Sequence, residues 1–362
     1  MTKPKVLLGM SGGVDSSVSA VLLLERGFEV IGGFMKNWSD ASIEEECSWR
    51  AERRDAMRVA AQLGIPFHTF DFENEYRKHV YEYMISEYKA GRTPNPDVLC
   101  NKYMKFDLFM KKADELGCEV IATGHYAQIE EGKDGKKHLM AGADVNKDQS
   151  YFLCQLNERQ IARSMFPIGH LKKSEVRAIA HANNLIVAGK KDSQGICFVG
   201  KVALRSFLSD RIPEHQGKIV TTDGRELGFH QGFEFYTVGQ RGGLGVGGGV
   251  PFYVVERRPE TNEVVVAVGP DDPALLKSEL TATQLTETID GNLKNYIEGT
   301  VEARIRYRQP LATCIITPTS QGDYHVKFDQ PQRAVAPGQF IAFYKDGELL
   351  GSGVIADATA SE

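Results

Sequence analysis

The first third of the chain alternates short apolar runs with longer stretches in which apolar residues recur every three or four positions. Short apolar runs between turn residues predict buried strands, and the longer spacing predicts amphipathic helices. Strands are predicted at 5–10, 28–35, 66–72 and 119–127, and helices at 15–26, 44–63, 73–89 and about 101–116. Strands that alternate with crossover helices form a doubly wound parallel sheet, which binds ligands beyond the carboxyl ends of its strands.

The pattern changes from helical to strand-like in the second half of the chain. A hairpin is predicted at 126–141, where GKDGKK forms the turn, and helical spacing returns at 157–183. From about residue 210, short alternating runs separated by glycines predict strands that form a small barrel or sandwich. We therefore predict an α/β domain at 1–205, a small β-rich connector domain at 206–278 and a C-terminal β-barrel at 279–362.

Composition and charge narrow the class of protein. The 362 residues are 42% hydrophobic and 25% charged, and no apolar run reaches the ~18 residues of a membrane span. MTKPKVLLGM leads directly into the first strand without the segments of a signal peptide, so we expect a cytoplasmic protein. A net charge of −5 argues against unspecific coating of nucleic acid, although a local basic patch could still contact RNA phosphates.

The cysteines offer candidate chemistry at two of six positions. None of them has C-x-x-C spacing, so neither a zinc ribbon nor a thioredoxin-like motif is indicated. Cys100 follows a Pro-Asn-Pro loop and Cys197 lies in a polar, glycine-containing loop, which predicts exposed thiols. We also expect the positive end of the helix after Cys100 to lower the pKa of its thiol. The remaining four lie in apolar runs and are predicted to be structural: Cys47, Cys118, Cys154 and Cys314.

The turn after the first strand has the composition of a phosphate site. SGGVDSS at 11–17 combines a glycine pair, serine hydroxyls and the start of a helix, whose free amides attract anions. Neither G-x-x-x-x-G-K-[ST] nor G-x-G-x-x-G occurs here, and no lysine lies between Lys5 and Lys36. From these residues alone, a capped strand–turn–helix without a ligand is an equally good interpretation.

Longer motifs decide between these interpretations through a resemblance to known families. SGGVDSS resembles the pyrophosphate loop of the N-type ATP pyrophosphatases, in which a leaving pyrophosphate is held without a lysine in the loop motif. The chain as a whole resembles the tRNA-specific 2-thiouridylases, through GRTPNPDVLCNKYMKF at 91–106, ATGHYA at 122–127, NKDQSYFL at 146–153, DSQGICFVG at 192–200, TVGQRGGLGVGG at 237–248 and ARIRYRQ at 303–309.

The resemblance implies a two-step reaction on RNA. The domain at 1–205 would use ATP and Mg²⁺ to adenylate the 2-carbonyl oxygen of a wobble uridine, and persulfide sulfur would then replace that oxygen. The products would be 2-thiouridine, AMP and pyrophosphate. Cys197 would carry the persulfide, and Cys100 would be the partner nucleophile that forms a disulfide with Cys197. Asp97 would be the acid–base residue, although an aspartate just before a helix is also a common cap.

The resemblance also implies two sets of binding residues and no protein ligand to a metal. The nucleotide would be bound by Gly9, Met10, Ser11, Gly12, Gly13, Val14, Asp15, Ser16, Met35 and Gly124. The tRNA would be bound by Asn95, Pro96, Asp97, His125, Lys147, Asp148, Gln149, Arg306, Tyr307 and Gln339. In RIRYR, alternation along a strand would place Arg304, Arg306 and Arg308 on one basic face.

The implied partners are RNA and a sulfur donor. The expected substrates are tRNAs for lysine, glutamate and glutamine, and the expected donor is a persulfide protein, either a cysteine desulfurase or a relay carrier. We expect a monomer.

Two other functions remain open. One is a related thiolating enzyme in which Asp97, Cys100 and Cys197 hold an iron–sulfur cluster, although the absence of C-x-x-C weighs against it. The other is a nucleotide-dependent tRNA-binding module without chemistry, which two cysteines in polar loops argue against.

Overall fold

A five-stranded parallel sheet organises the amino-terminal half of the computed structural model, which describes residues 3–39, 49–191, 204–247 and 249–359. The strands lie in the order β3–β2–β1–β4–β7, and all four pairings are parallel. Their bounds are β1 Lys5–Gly9, β2 Glu29–Lys36, β3 Phe67–Asp71, β4 Val120–Ala122 and β7 Ser164–Met165.

Helices cover both faces of this sheet. Val6 and Leu8 of β1 pack in one hydrophobic cluster with residues of α1, α2 and α8, whereas Leu7 packs in a second cluster with residues of α4, α5 and α6. The helices run α1 Val14–Glu25, α2 Trp49–Leu63, α3 Glu73–Tyr76, α4 Glu82–Lys89, α5 Pro96–Leu99, α6 Phe109–Glu115, α7 Glu158–Ala162, α8 Lys173–Ala182 and α9 Leu204–Ser209. No helix in the described part of the chain is long and apolar enough to cross a bilayer.

The carboxyl half contains two β structures. A four-stranded sheet has the order β10–β11–β8–β9, with β8 Gly217–Thr221, β9 Glu226–His230, β10 Phe252–Arg258 and β11 Glu263–Val268. Six later strands close into a barrel, in the order β12–β15–β14–β13–β16–β17, because β17 also pairs with β12. They are β12 Leu276–Glu287, β13 Thr300–Arg304, β14 Ala312–Pro318, β15 Tyr324–Arg333, β16 Phe340–Lys345 and β17 Glu348–Thr359.

The predicted fold class is confirmed: a doubly wound parallel sheet is followed by a small β-rich part and a C-terminal barrel. The predicted hairpin is also present, as β5 Ala127–Glu131 and β6 Lys137–Ala141, and it extends the barrel sheet through β17. The domain boundaries at 205/206 and 278/279 stay predictions.

Two helix predictions are corrected by the structure. The helix predicted at about 101–116 begins at Pro96, because the Asn95 side chain caps it by accepting from the Val98 amide and Pro96 suits the first helical position. The helix predicted at 157–183 is divided into α7 and α8, and β7 between them adds the fifth strand. Residues 44–48 of the helix predicted at 44–63 lie outside the described residues.

The helix that carries Cys100 is continuous but widened. A π-helical stretch, Cys100–Leu108, joins α5 to α6, and a second one, Arg77–Tyr81, joins α3 to α4. Wider turns displace backbone carbonyls from regular α-helical pairing. The Gln160 amide supports the first stretch, because its Nε2 donates to the carbonyls of Lys102 and Phe106, each at 3.0 Å.

Replacing Gln160 tests this support. In Gln160→Ala, the carbonyls of Lys102 and Phe106 lose a donor and the Asn157 amide at the start of α7 loses an acceptor, so we expect the free energy of unfolding to fall by about 1–3 kcal/mol. Gln321→Ala, on an exposed turn between β14 and β15, is the matched control and should change it by less than about 0.5 kcal/mol. Urea unfolding of both variants measures the difference. Equal midpoints would contradict a supporting role for Gln160.

Candidate active site

The loop between β1 and α1 presents an uncapped helix start. Gly13 occupies the cap position without a side-chain hydrogen bond to the first turn of α1. The Ser11 amide donates to Ser16 Oγ at 3.2 Å, and the two serine hydroxyls lie 3.3 Å apart. Free amides and two hydroxyls thus share one small volume, which is the donor set that a phosphate group needs.

Close backbone packing keeps this loop in place. Gly12 has φ +73°, and a Cβ there would clash with the Glu52 carbonyl of α2. Gly124 follows β4, and a Cβ on it would lie 2.8 Å from the Ser16 amide nitrogen. In the sheet, β1 lies between β2 and β4. The chain continues from β1 to β2 on one side and returns to β4 on the other side of β1, so the loop after β1 lies at the topological switch point.

The predicted nucleotide residues are therefore brought together. Residues 9–16 form the loop, and Gly124 lies against its helix. Met35, in β2, lies beside Gly9, because a Cβ on Gly9 would be 3.2 Å from the Met35 methyl group. Their binding of a nucleotide stays a prediction.

Two lysines that the loop motif lacks arrive from distant parts of the chain. Lys173, the first residue of α8, places its Nζ 2.7 Å and 2.9 Å from the two carboxylate oxygens of Asp15. Lys190 donates from Nζ to the Gly12 carbonyl at 3.0 Å and to Asp55 at 2.9 Å. The motif itself contains no lysine, as the sequence shows, and the fold brings two lysines to it. Neither lysine belongs to a local motif, so sequence analysis missed both.

Cys100 lies on the same edge of the sheet but is buried. Its side chain is 1% exposed and belongs to the hydrophobic cluster around α4–α6. The Nδ2 atom of Asn37, directly after β2, is 4.0 Å from Cys100 Sγ. Burial raises the pKa of the Cys100 thiol to about 11, the charge of Asp97 raises it further, and the charge of Lys105 lowers it.

The prediction of an exposed Cys100 with a lowered pKa is therefore wrong. The helix begins at Pro96, so Cys100 lies beyond its first turn and not in front of its positive end. Cys197 and the motif at 192–200 lie outside the described residues, and the pairing of the two cysteines stays a prediction.

Asp97 lies one turn before Cys100 on the same helix. It is not the helix cap, because Asn95 has that role. Its Oδ1 atom is buried and has no hydrogen-bond partner within the described ranges. A buried acceptor without a donor is costly, which is typical of a site that a ligand completes.

Asn95 and Gln339, two predicted RNA contacts, form one unit. Gln339 donates from Nε2 to the carbonyls of Thr93 and Pro94, at 3.1 Å and 3.0 Å, and accepts from Asn95 Nδ2 at 3.3 Å. The barrel residue Gln339 thus fixes the segment that leads into α5.

The two segments that contain the predicted RNA contacts 147–149 and 306–307 also pack against each other. Arg308 donates to the Asn146 carbonyl at 3.1 Å, and Arg304 pairs with Asp148 at 2.9 Å. Asp148 is buried, and its carboxylate also accepts from the amides of Gly142 and Ser150. We therefore assign the Asp148 side chain to holding these segments together and not to direct contact with RNA.

The basic strand face predicted for RIRYR is absent. β13 ends at Arg304, whose side chain is buried, with its guanidinium carbon 4.8 Å from the centroid of the Tyr344 ring. Arg306 and Arg308 are exposed on the following turn. Tyr307 packs on Phe152 with ring centroids 4.6 Å apart.

The remaining predicted RNA contacts have different surroundings. Lys147 is half-buried, and Gln149 accepts from the Tyr126 amide at 3.0 Å. His125 is buried, with Nδ1 2.7 Å from Thr123 Oγ1. Burial, aided by the charge of Lys105, holds the pKa of His125 well below its ordinary value, so its ring is neutral at pH 7.

No group of three or more His, Cys, Asp or Glu side chains that could hold a metal is present among the described residues. Asp97 and Cys100 supply two of the three ligands that the iron–sulfur alternative requires, and the third, Cys197, lies outside them.

Three family models match successive parts of the chain. They are described as a tRNA methyl transferase HUP domain at 4–201, a tRNA methyl transferase PRC-barrel domain at 205–268 and an Aminomethyltransferase beta-barrel domain at 280–355.

Curated relatives are similar over the whole length. A Streptococcus mutans protein named tRNA-specific 2-thiouridylase MnmA is 46% identical over 367 residues, which span 100% of this chain and 97% of that protein. Proteins of the same name from Streptococcus uberis and Christiangramia forsetii are 47% and 46% identical, over 98% and 97% of this chain and 95% and 100% of theirs. Among solved structures, a 4-thiouridine synthetase–RNA complex with bound ATP is 18% identical over 54% of this chain and 44% of that chain. The TM-score between the two chains is 0.33.

Gly124 tests whether the helix start binds a nucleotide. In Gly124→Ala, the new methyl group would push on the backbone of Asp15 and Ser16, and we expect ATP affinity to fall about tenfold or more, which is ~1.4 kcal/mol. Gly242→Ala, where a Cβ meets nothing within 4 Å, should leave affinity unchanged. Equilibrium binding of ATP measures both. Unchanged affinity in Gly124→Ala would exclude this loop as the site.

The pH dependence of alkylation tests the state of Cys100. Only an accessible thiolate reacts, so burial and a pKa raised to about 11 should make alkylation in the native protein at least about tenfold slower than in the urea-unfolded chain at any pH from about 7 to 9. In the urea-unfolded chain the rate should level off near the ordinary thiol pKa. Mass spectrometry of the Cys100 peptide after timed exposure to iodoacetamide gives both curves. A native curve that levels off below pH 8 would show an activated thiol and contradict the burial argument.

Proposed function

Because the chain belongs to the tRNA-specific 2-thiouridylase family, we propose that it is a tRNA-uridine 2-sulfurtransferase that uses ATP to exchange the 2-carbonyl oxygen of a wobble uridine for sulfur. One observation supports this function best. The carboxyl edge of β1, β2 and β4 carries both an uncapped helix start and, next to Asn37, the Cys100 thiol. A phosphate site and a sulfur nucleophile on one edge fit an adenylation followed by sulfur transfer.

The first step is adenylation. The amides at the start of α1 and the hydroxyls of Ser11 and Ser16 would hold the pyrophosphate portion of ATP, and they donate toward the charge that develops as the bond to the α-phosphate breaks. Lys173 and Lys190 flank the loop and would add positive charge. Mg²⁺, bound mainly through the phosphates, would offset their remaining charge.

The second step transfers sulfur. A carbonyl oxygen leaves poorly, whereas AMP leaves readily, so the terminal sulfur of a Cys197 persulfide can attack C2 of the adenylated uridine and displace AMP. The Cys100 thiolate then attacks Cys197 Sγ, which forms the Cys100–Cys197 disulfide and releases the terminal sulfur as part of 2-thiouridine. A thiol reductant supplies the two electrons that restore both cysteines, and a persulfide protein, a cysteine desulfurase or a relay carrier, reloads Cys197.

The burial of Cys100 gives Asp97 a role in this step. An uncharged thiol must lose its proton before it attacks, and the unpaired Oδ1 of Asp97 lies one turn away on the same helix. We assign Asp97 as the acceptor of that proton. A base must leave the base stack before an enzyme can act on it. The extruded uridine would then lie beside Asp97 and Cys100.

The RNA surface would combine groups from both halves of the chain. The Asn95–Gln339 unit lies at the site, and exposed Arg306 and Arg308 lie on the barrel turn that contacts Asn146, next to residues 147–149. This patch supplies local positive charge in a protein of net charge −5. We propose tRNAs for lysine, glutamate and glutamine as substrates and a monomer as the active form.

Thiolation of unmodified tRNA tests the proposal. ATP, Mg²⁺ and a persulfide donor are supplied, and the mass of the wobble nucleoside reports the product. We expect 2-thiouridine from the wild type and from the control Cys118→Ala, and at least about a hundredfold less from Cys100→Ser and Cys197→Ser, because each removes one half of the disulfide chemistry.

Other outcomes separate the alternatives. Activity that survives in Cys100→Ser would remove Cys100 from the reaction. No product with tRNA-stimulated pyrophosphate release would favour the iron–sulfur alternative, which iron and sulfide analysis of anaerobically purified protein then decides. Neither product nor pyrophosphate would favour a binding module.

A further inference from the structure

Two buried acceptor atoms without partners flank the Cys100 thiol. One is Asp97 Oδ1, already described, and the other is Asn37 Oδ1. Neither atom has a hydrogen-bond donor in the part of the chain that the structure describes. Buried polar atoms are almost always hydrogen-bonded, so two such atoms beside one thiol indicate a place that a ligand with its own donors completes.

Asn37 is held firmly at the edge of the sheet. It directly follows β2, and Lys36 before it forms ion pairs with Asp71 and Glu73, each at 3.0 Å. After it, Ser39 donates to the Glu73 carboxylate at 2.8 Å. The backbone on both sides of Asn37 is thus anchored to the end of β3 and the start of α3. Its carboxamide lies with Nδ2 4.0 Å from Cys100 Sγ.

We propose that Asn37 recognises the uracil base that is to be thiolated, with Oδ1 accepting the N3–H hydrogen bond and Nδ2 donating to a carbonyl oxygen that flanks N3. This proposal rests on the proposed function and adds a base-reading residue to it. In the proposed reaction Cys100 attacks Cys197 Sγ, which is then joined to C2 through one sulfur atom, and N3 is bonded to C2. The base therefore lies close to Cys100 at that step, and an acceptor beside Cys100 can reach N3–H.

The carboxamide matches this edge of uracil in both polarity and spacing. It presents an acceptor and a donor side by side, and the imide edge of uracil presents the complementary donor and acceptor. Cytosine has an acceptor at N3, so it would require the amide to turn over. In the observed orientation Nδ2 faces Cys100 Sγ and Oδ1 is the atom without a partner, so the carboxamide offers the base an acceptor, which fits N3–H of uracil and not N3 of cytosine.

A methyl group on N3 removes the hydrogen bond without removing the base, and this gives the test. Full-length tRNA is prepared with uridine or with N3-methyluridine at the wobble position. Its dissociation constant is measured by fluorescence anisotropy with a non-hydrolysable ATP analogue present. The proteins are wild type, Asn37→Ala, Asn37→Asp and the control Asn74→Ala, which removes an exposed asparagine side chain on α3.

The expected result is a loss of discrimination on removal of the acceptor. Wild type and Asn74→Ala should bind the methylated tRNA about tenfold more weakly than the unmethylated one, as for one buried hydrogen bond. Asn37→Ala should bind the two tRNAs within about twofold of each other. Asn37→Asp keeps an acceptor at the same place and should keep most of the discrimination. Discrimination by this variant would show that a substitution at position 37 leaves the binding site folded.

Two results would overturn the proposal. Equal discrimination in wild type and Asn37→Ala would mean that the methyl group is sensed elsewhere and that Asn37 only orients the thiol. No discrimination by the wild type would mean that N3–H is not read at all. Thiolation of unmethylated tRNA by the same wild-type preparation is scored in parallel. A wild type that discriminates but yields no 2-thiouridine would contradict the proposed reaction and leave the role of Asn37 standing.

Discussion

The free amides at the start of α1 are the feature on which the arrangement of this site depends. The first amides of any helix have no carbonyl partner within the helix, and most helices satisfy them with a side-chain cap. Here Gly13 supplies no cap, and the surrounding elements leave the helix start open. Gly124 allows the end of β4 to approach it, and Lys173 and Lys190 add positive charge beside it. Each of these features favours the binding of an anion at the start of α1.

A second constraint determines where the Cys100 thiol lies relative to the start of α1. The segment before α5 is held by two other parts of the chain, since the Thr93 amide donates to the Pro337 carbonyl at 2.8 Å and Arg257 donates to Thr93 Oγ1 at 2.8 Å. Arg257 is buried in the interior, and burial lowers its pKa to about 10. A buried guanidinium needs its hydrogen bonds, so this junction has little freedom to rearrange. Movement of the barrel would therefore act directly on the helix that carries Asp97 and Cys100.

Local sequence patterns predicted those features that depend on neighbours along the chain. The apolar runs gave β1, β2 and β3 within one residue at each end, and the glycine-containing turn gave the hairpin of β5 and β6. The patterns gave wrong predictions where a single side-chain contact determines the local structure. The start of α5 was missed because Pro-Asn-Pro was interpreted as a loop, although Asn95 caps a helix there. The arginines of RIRYR were expected on one face, but β13 ends after the first of them, and Asp148 draws that arginine inward.

The sequence by itself determined the fold class, the glycine- and serine-containing turn after β1 and the family, because periodicity, glycine positions and long motifs are properties of contiguous residues. Only the tertiary structure decided which groups meet. It brought Lys173 and Lys190 to a loop whose own motif contains no lysine, it buried Cys100 and raised the pKa of its thiol, and it placed Asn37 beside that thiol. The physical reason is that burial, charge pairing and contact depend on distances in space, and residues more than a hundred positions apart become neighbours only when the sheet and the barrel have formed.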